Sequence, residues 1–429
     1  MDTLFDLSET INGEIVTYDK IHRNQSTFLS GVEKSFHNWF RLTPSFGADL
    51  VKSILYEFNA STDSVILDPF AGASTTLIES KLLGFKSYGF EINPFLHFVG
   101  KTNLFWDFNK DSLQQLSKNI RTKYISDIQY FGKSDCENLP FKIPEIHNVY
   151  RWWRPDILKQ LLILKNAIIT ETSHFDTVYK NFFNLALAGV LVPHLTNVTL
   201  GKLQLHFIDR TNHKIDVESI YFSHLDMMIT DITNIPDNTK TVESTLINID
   251  STTVNTTTIP DKIDIVITSP PYPNRYSYVW NTRPYLYFFD IFSGPKEASS
   301  LDMKTIGGTW GTATSILNKG IIEPISKDIA DIILPTTENI RLQDNLMANY
   351  VMKYFNMLYS QIEKMIPLLS HEPKIVYVVG NSEIKGVFVE TDILLSKIFK
   401  SFGFQSTSIN RFRKRNSGKN LFESNVYAR

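Results

Sequence analysis

The sequence predicts an α/β protein, a doubly wound sheet interrupted by a largely helical insertion, and three features carry that prediction. The stretch DSVILDPFAGASTTLIESKLLGFKSYGFEINP, residues 63–94, runs from an apolar segment through small residues into a helical period and out to a second apolar segment. That is a β-turn-α-β unit of about 30 residues, the building block of a doubly wound sheet. Strand-type runs return at 244–250, 262–269 and 374–382. Between them, 105–240 carries helical periodicity instead.

Each element has its own reason. Residues 1–36 are polar and broken, and predict an N-terminal extension over the core. In 44–58 the apolar positions Leu50, Val51, Ile54, Leu55 and Phe58 recur at helical spacing. Residues 65–67 form a short apolar strand, 68–74 a turn, 75–83 a helix closed by Gly84, and 86–92 a second strand. Within the insertion, DSLQQLSKNIRTKYI, PDILKQLLILKNAIITE and TVYKNFFNLALAGVLVPHL read as helices, and KLQLHFIDR as a possible strand. The Gly- and Thr-rich segment 307–320 predicts a flexible loop, and 348–369 a long amphipathic helix. DILLSKIFKSFGF is a helix closed by Gly403, ahead of the basic tail RFRKRNSGK, 411–419. The domain assignment is therefore an extension at 1–36, one domain from 37–104 with 241–429, and an inserted helical region at 105–240.

Composition narrows the function classes. The 429 residues are 42% hydrophobic and 21% charged, with no apolar run long enough to span a bilayer, and the acidic start MDTLFDLSETINGE lacks a secretory pattern. The expectation is a cytoplasmic protein with no membrane partner. A single cysteine, Cys136, rules out an internal disulfide and a thiolate zinc cluster, and suits a reducing compartment. The histidines show no metal spacing, so no metal is assigned. A net charge of −2 excludes a globally basic nucleic-acid coat but not a local basic face such as 411–419.

Two motifs carry chemistry. In LDPFAGASTT a strand ends at Asp68, and a tight small-residue turn leads into a helix. Small residues let a ligand approach the backbone, and a helix N-terminus offers free N–H groups. About 20 residues on, a second strand ends at Glu91, placed to accept the ribose hydroxyls of a nucleoside cofactor. The second motif, ITSPPYPNRYSYVW at 267–280, follows the buried-type strand IDIVI. It therefore lies at a strand's carboxyl end, where open α/β sheets bind ligands. Pro270 and Pro271 stiffen the backbone and remove two donors. The Ser269 hydroxyl and the carbonyls of Ser269 and Pro270 can then accept from an exocyclic amine, with Tyr272 stacking on the ring that bears it.

Together these motifs resemble those of the S-adenosylmethionine-dependent DNA amino-methyltransferases. DPFAGASTT looks like the family's cofactor motif and TSPPY like its catalytic motif. The resemblance spans roughly 37–105 and 244–425. HNWF before the first helix is similar to the family's N-terminal motif. TSPPYPNRYSY, YVVGNSEIKG and RFRKRNSGKNLFES are similar to a subgroup in which the cofactor motif precedes the catalytic one. The chain departs from the family at Ser74, where glycine is usual; serine costs more if the residue needs positive φ, and nothing if the loop is already helical there.

The resemblance implies a Rossmann-like methyltransferase fold. It also implies S-adenosylmethionine as cofactor and direct in-line methyl transfer to a flipped base in double-stranded DNA, without metal or covalent intermediate. The catalytic residues would be Ser269, Pro270, Pro271 and Tyr272. Cofactor contacts would come from Asp68, Phe70, Ala71, Gly72, Thr75, Thr76 and Glu91, with Trp39, beside Asn38 and Phe40, closing the methionine end. Asp250 would accept from the adenine amine, or else form a turn. Arg275 and Tyr276 would line the base pocket or contact the target phosphate, and further DNA contacts would come from Arg411, Arg413, Lys414 and Arg415, unless the basic tail is only a solvated strand face. YRWWRPD, 150–156, would read DNA or pack a helix start, and Asn381 with Ser382 would be site residues or turn formers. Ser before the two prolines leans toward cytosine N4, with adenine N6 as the alternative, in a restriction-modification or defence setting beside a possible cognate endonuclease. The competing classes are an RNA or protein-glutamine methyltransferase and a non-catalytic DNA-binding subunit of a defence complex.

Overall fold

The computed structural model describes residues 7–18, 34–42, 45–201, 204–308, 312–415 and 421–429. Its strands are β1 Leu7–Ile11, β2 Glu14–Tyr18, β3 Ile66–Asp68, β4 Ser87–Phe90, β5 Val198–Leu200, β6 Leu205–Phe207, β7 Ser244–Ile247, β8 Ile263–Thr268, β9 Leu369–Gly380, β10 Ser382–Ile384, β11 Val387–Val389, β12 Thr407–Lys414 and β13 Phe422–Ala428. Nine of these form one sheet in the order β1-β2-β12-β13-β9-β8-β3-β4-β7, and the other four form two small hairpins.

From β7 to β9 every pairing is parallel, whereas β13 runs antiparallel to both β9 and β12. The chain builds outward from β3 through β4 to β7, then returns to the other side of β3 with β8. The strand order reverses between β3 and β8, and such a switch point opens a crevice at the carboxyl ends of the strands. Asp68 and Thr268, the last residues of these two strands, stand at its edge.

The strands alternate apolar residues between two covered faces, as parallel strands buried on both sides do. Ile66, Ile265, Ile267, Val376 and Val378 pack under the helix Ala48–Glu57. Leu67, Val266, Ile375, Tyr377 and Val379 pack on the opposite face, with the helices Asn345–Met365 and Thr391–Ser401. The helix Thr75–Leu82 follows β3 and ends before Gly84, whose φ of 87° only glycine takes without strain.

The inserted region folds as helices Lys110–Tyr130, Pro155–Glu171, Thr177–Leu195 and Val217–Asn234, with β5 and β6 as a short hairpin. Its apolar residues share one continuous core with the helices Pro94–Asn103 and Tyr278–Phe288. In the segment 150–156, Trp152 and Trp153 are buried, Arg151 lies over the Phe207 ring and Arg154 pairs with Asp156. The two tryptophans are spent on packing, while Tyr150 and Arg151 stay exposed.

Other expectations are corrected. The segment expected as a loop at 307–320 contains a helix, Thr312–Leu317, while 309–311 lie outside the described residues. Of the extension 1–36, residues 7–18 form a hairpin joined to β12, and Glu14 is buried against Ser396 and Lys400; 1–6 and 19–33 lie outside the described residues. The basic tail is an interior strand as far as Lys414, with 416–420 outside the described residues. Arg411 is 5% exposed and donates through Nε to Asp392 at 2.9 Å, so it cannot reach a DNA phosphate. Among the described residues no helix is long and apolar enough to cross a membrane.

Candidate active site

The carboxyl ends of β3, β4, β7, β8 and β9 surround a cleft with about 1270 Å³ of space, counting the part open to solvent. Both motifs line it. From the first come Phe70, Ala71, Gly72 and Thr75, with Glu91 across from them; from the second come Ser269, Pro271 and Tyr272.

One set of hydrogen bonds holds the two motifs together. Asp68 is buried, and its Oδ1 accepts from the Phe70 amide at 3.0 Å and from the Thr268 hydroxyl at 2.6 Å. Burial pushes Asp68 up to about 6, against the pull of the Thr268, Thr76 and Phe70 hydrogen bonds. Asp68 and Thr76 therefore lie beneath the loop rather than on the cleft wall; Thr76 donates to the Ile267 carbonyl at 3.3 Å. Their part is to fix the loop.

Glu91 braces the same loop from β4. It accepts from the Gly72 amide at 2.8 Å and the Asn93 amide at 2.7 Å. An ionised carboxylate has about four acceptor sites, so two remain for a ligand in the cleft. Burial pushes Glu91 up to about 7, opposed by the Asn93 and Gly72 amides and aided by the Asp68 charge. Asp250 also lines the cleft, and its Oδ1 accepts from the Thr252 amide at 2.9 Å and hydroxyl at 2.7 Å. It forms a turn and faces the ligand space as well.

Ser74 takes φ 72°, ψ 31°, the left-handed conformation that favours glycine. Its hydroxyl is buried without a hydrogen-bond partner and occupies the space a side chain on residue 100 would need, where the chain has Gly100. The family's usual glycine would suit this backbone better. The serine is accommodated by a compensating absence on the neighbouring helix.

The catalytic-motif end is built as tightly. The Ser269 hydroxyl donates to the Val378 carbonyl at 3.0 Å, which leaves the oxygen lone pairs for the cleft. The Tyr272 ring lies on the backbone of Gly380, where a Cβ would sit 2.7 Å from two ring carbons. Pro270 is buried under the turn. Arg275 is exposed at φ 61°, its amide donating to the Tyr350 hydroxyl at 3.0 Å. Tyr276 is buried in the cleft wall, edge-on to Tyr278 at 4.7 Å, and is no surface contact for DNA.

Other predicted residues fall elsewhere. Trp39 is fully buried, donates to Asp231 at 2.8 Å and packs on Phe182, away from the cleft; Leu42 and Phe46 of the same segment reach the cleft instead. Asn381 is buried against Asp392 and forms structure. Of the basic tail, Arg413 lines the cleft, Arg415 donates to the Asn381 carbonyl at 3.2 Å and Lys414 is exposed. Sequence reasoning missed Asn93, Tyr278, Lys304 and Glu423 on the wall. Asn93 was within reach: an Asn-Pro step right after Glu91 marks a helix N-cap, and it does cap Pro94–Asn103.

A doubly wound sheet that sets an acid-braced small-residue loop and a stiff proline turn on one cleft has the layout of a nucleoside-binding group-transfer enzyme. A family model described as DNA methylase, N6_N4_Mtase, matches residues 19–99. The chain is 23% identical to the Type II methyltransferase M.BsoBI of Geobacillus stearothermophilus, over 95% of this chain and 84% of that protein. It is 23% identical to the Type II methyltransferase M.MvaI of Kocuria varians over 87% and 83%, and 21% identical to M.AvaI of Nostoc sp. over 94% and 86%. No solved structure is significantly similar. The matched family model and these relatives support a place for the chain among the S-adenosylmethionine-dependent DNA amino-methyltransferases. Its cofactor is S-adenosylmethionine, and the donor set fits: Glu91 has acceptors to spare and the small-residue loop leaves the cleft open.

Two outcomes follow. Ser74→Gly removes left-handed strain and an unpaired buried hydroxyl, so it should raise stability by about 1–2 kcal/mol, seen as a higher Tm; a lower Tm would contradict the strain. Hydroxyl donors from a bound nucleoside favour ionised Glu91, so binding should release a proton. Affinity for S-adenosylhomocysteine, read by calorimetry, should then rise as pH increases through about 7. Glu91→Gln should flatten that dependence.

Proposed function

We propose that the protein methylates the N4 amine of cytosine in duplex DNA, on a base flipped into the cleft. The observation that supports transfer to an exocyclic amine, of cytosine or adenine alike, is the Ser269–Val378 hydrogen bond. It commits the hydroxyl's only hydrogen to the backbone and so turns the oxygen into an acceptor. An exocyclic amine is a poor nucleophile because its lone pair is delocalised into the ring. Accepting its hydrogens at Ser269 and at the Pro270 carbonyl localises that pair on nitrogen, and fixed dipoles then meet the positive charge that develops there. Bound S-adenosylmethionine supplies an electrophilic methyl on sulfur. Held by Glu91 and the small-residue loop, it would give up that methyl to the amine nitrogen and depart as the neutral thioether, and the surplus proton on nitrogen would leave past Ser269 to solvent. Tyr272, held flat on Gly380, would stack on the target ring.

The serine ahead of the two prolines favours cytosine over adenine by family resemblance. The relatives are named Type II methyltransferases, and we carry that role to this chain: modification of DNA beside a cognate restriction endonuclease. Arg275, exposed beside the catalytic turn, would meet the DNA backbone.

Incubation with labelled S-adenosylmethionine and mixed-sequence duplex DNA, followed by digestion to nucleosides, should place the label in N4-methylcytosine. Label in N6-methyladenine would select the adenine enzyme instead. Ser269→Ala should lower turnover by ~100-fold or more, the scale of one lost transition-state contact, with cofactor affinity within about twofold. Equal loss of both would contradict the role given to Ser269.

A further inference from the structure

We propose that Arg413 recognises the flipped base, donating from its guanidinium to the 2-keto oxygen of cytosine, with Glu423 fixing the guanidinium in place. The proposal rests on the cytosine reading above and adds the residue that enforces it.

Arg413 and Glu423 line the same cleft as Ser269, Tyr272 and Val378. They form a cross-strand ion pair, Arg413 Nη2 on Glu423 Oε1, at paired positions of β12 and β13. A β-bulge between Arg411 and Arg413 brings this about. Residues two apart on a strand ordinarily share a face, and a bulge re-aims the side chain that follows it. Arg411 and its cross-strand partner Ser424 both point to Asp392 on one face. Beyond the bulge, Arg413 joins Glu423 on the other face, toward the cleft.

The guanidinium is not fully used. Arg413 Nε is buried and has no hydrogen-bond partner, an arrangement that costs free energy until an acceptor arrives. Glu423, 7% exposed, holds one end of the fork and so limits the directions in which the remaining donors can point.

The chemistry of the bases decides which acceptor fits. Reading along the edge from its amine, cytosine offers the N3 acceptor and then the O2 carbonyl. Adenine offers N1 and then a carbon-bound hydrogen. With the amine held at Ser269, a donor at the far end of that edge is satisfied by cytosine and left unpaired by adenine. A site built to hydrogen-bond one group rejects the analogue that lacks it. Arg413 would thus be a specificity residue, distinct from phosphate-binding basic residues.

The test uses a duplex carrying the target cytosine, located by sequencing DNA that the wild-type protein has methylated, and the same duplex with 2-thiocytosine there. The thiocarbonyl keeps the amine and N3 but is a weak acceptor. Wild-type kcat/KM should fall by roughly 10- to 100-fold on the thio substrate, the range of one hydrogen bond from a charged donor. Arg413→Met should lower kcat/KM on cytosine by a similar factor and lose the further penalty for sulfur, while S-adenosylhomocysteine binding is kept. That non-additivity marks a direct contact. Undiminished discrimination by Arg413→Met would overturn the proposal. If the single variant leaves Glu423 unpaired and fails to fold, Arg413→Met with Glu423→Gln removes donor and charge together, and the same readings apply. Exclusive formation of N6-methyladenine would instead overturn the cytosine reading, an outcome separate from N4-methylcytosine formed without any part for Arg413.

Discussion

The site depends on one buried carboxylate. Asp68 closes β3 and Thr268 closes β8, and the 2.6 Å hydrogen bond between them joins the two strands at the point where the strand order reverses. The same oxygen holds the Phe70 amide and so sets the start of the cofactor loop. Asp68 itself faces neither ligand. It ties the small-residue loop after β3 to the proline turn after β8, so the two motifs share one frame. A carboxylate held in such burial is costly, and the upward push on Asp68 reflects it.

Around that clamp the cleft divides into two ends. Toward β4 and β7 lie Glu91, Asp250 and the small-residue loop, which suit hydroxyl and amine donors of a nucleoside. Toward β9, β12 and β13 lie Ser269, Tyr272 and the Arg413–Glu423 pair, which suit the edge of a flat base. Each end is shaped by a residue with little or no side chain: Gly72 at φ 53° in the loop and Gly380 beneath the Tyr272 ring. In-line transfer needs the two groups held in fixed relation, and a rigid sheet edge supplies that.

Much of this was legible in the sequence, and the rest was hidden for physical reasons. The unit 63–94 and the turn 268–272 were readable because strand, turn and helix are encoded locally there. The parallel strands β8 and β9 showed as near-continuous apolar runs. Side-chain direction was not readable. Arg411 and Arg413 look alike in RFRKR, and only the bulge in β12 separates a buried structural ion pair from a cleft-facing one. Trp39 turns inward to Asp231, and no residue of HNWF lines the cleft, which Leu42 just beyond the motif reaches instead. The conformation of Ser74 depended on a loop geometry that one residue cannot reveal, and Gly100 on the helix Pro94–Asn103 is what makes room for it. Asp68 and Thr76 were expected to touch the cofactor, and burial assigns them to the scaffold beneath it.

The most direct test of this account is the single substitution Thr268→Val, which keeps the shape of the side chain and removes the hydroxyl that joins the motifs. Loss of one buried hydrogen bond to a charged group is worth ~1.5–3 kcal/mol. Cofactor affinity by calorimetry and methyl transfer to DNA should therefore fall together, each by about tenfold or more, in a protein that still folds. Wild-type affinity and wild-type turnover in Thr268→Val would show that the two motifs do not depend on the Asp68 clamp.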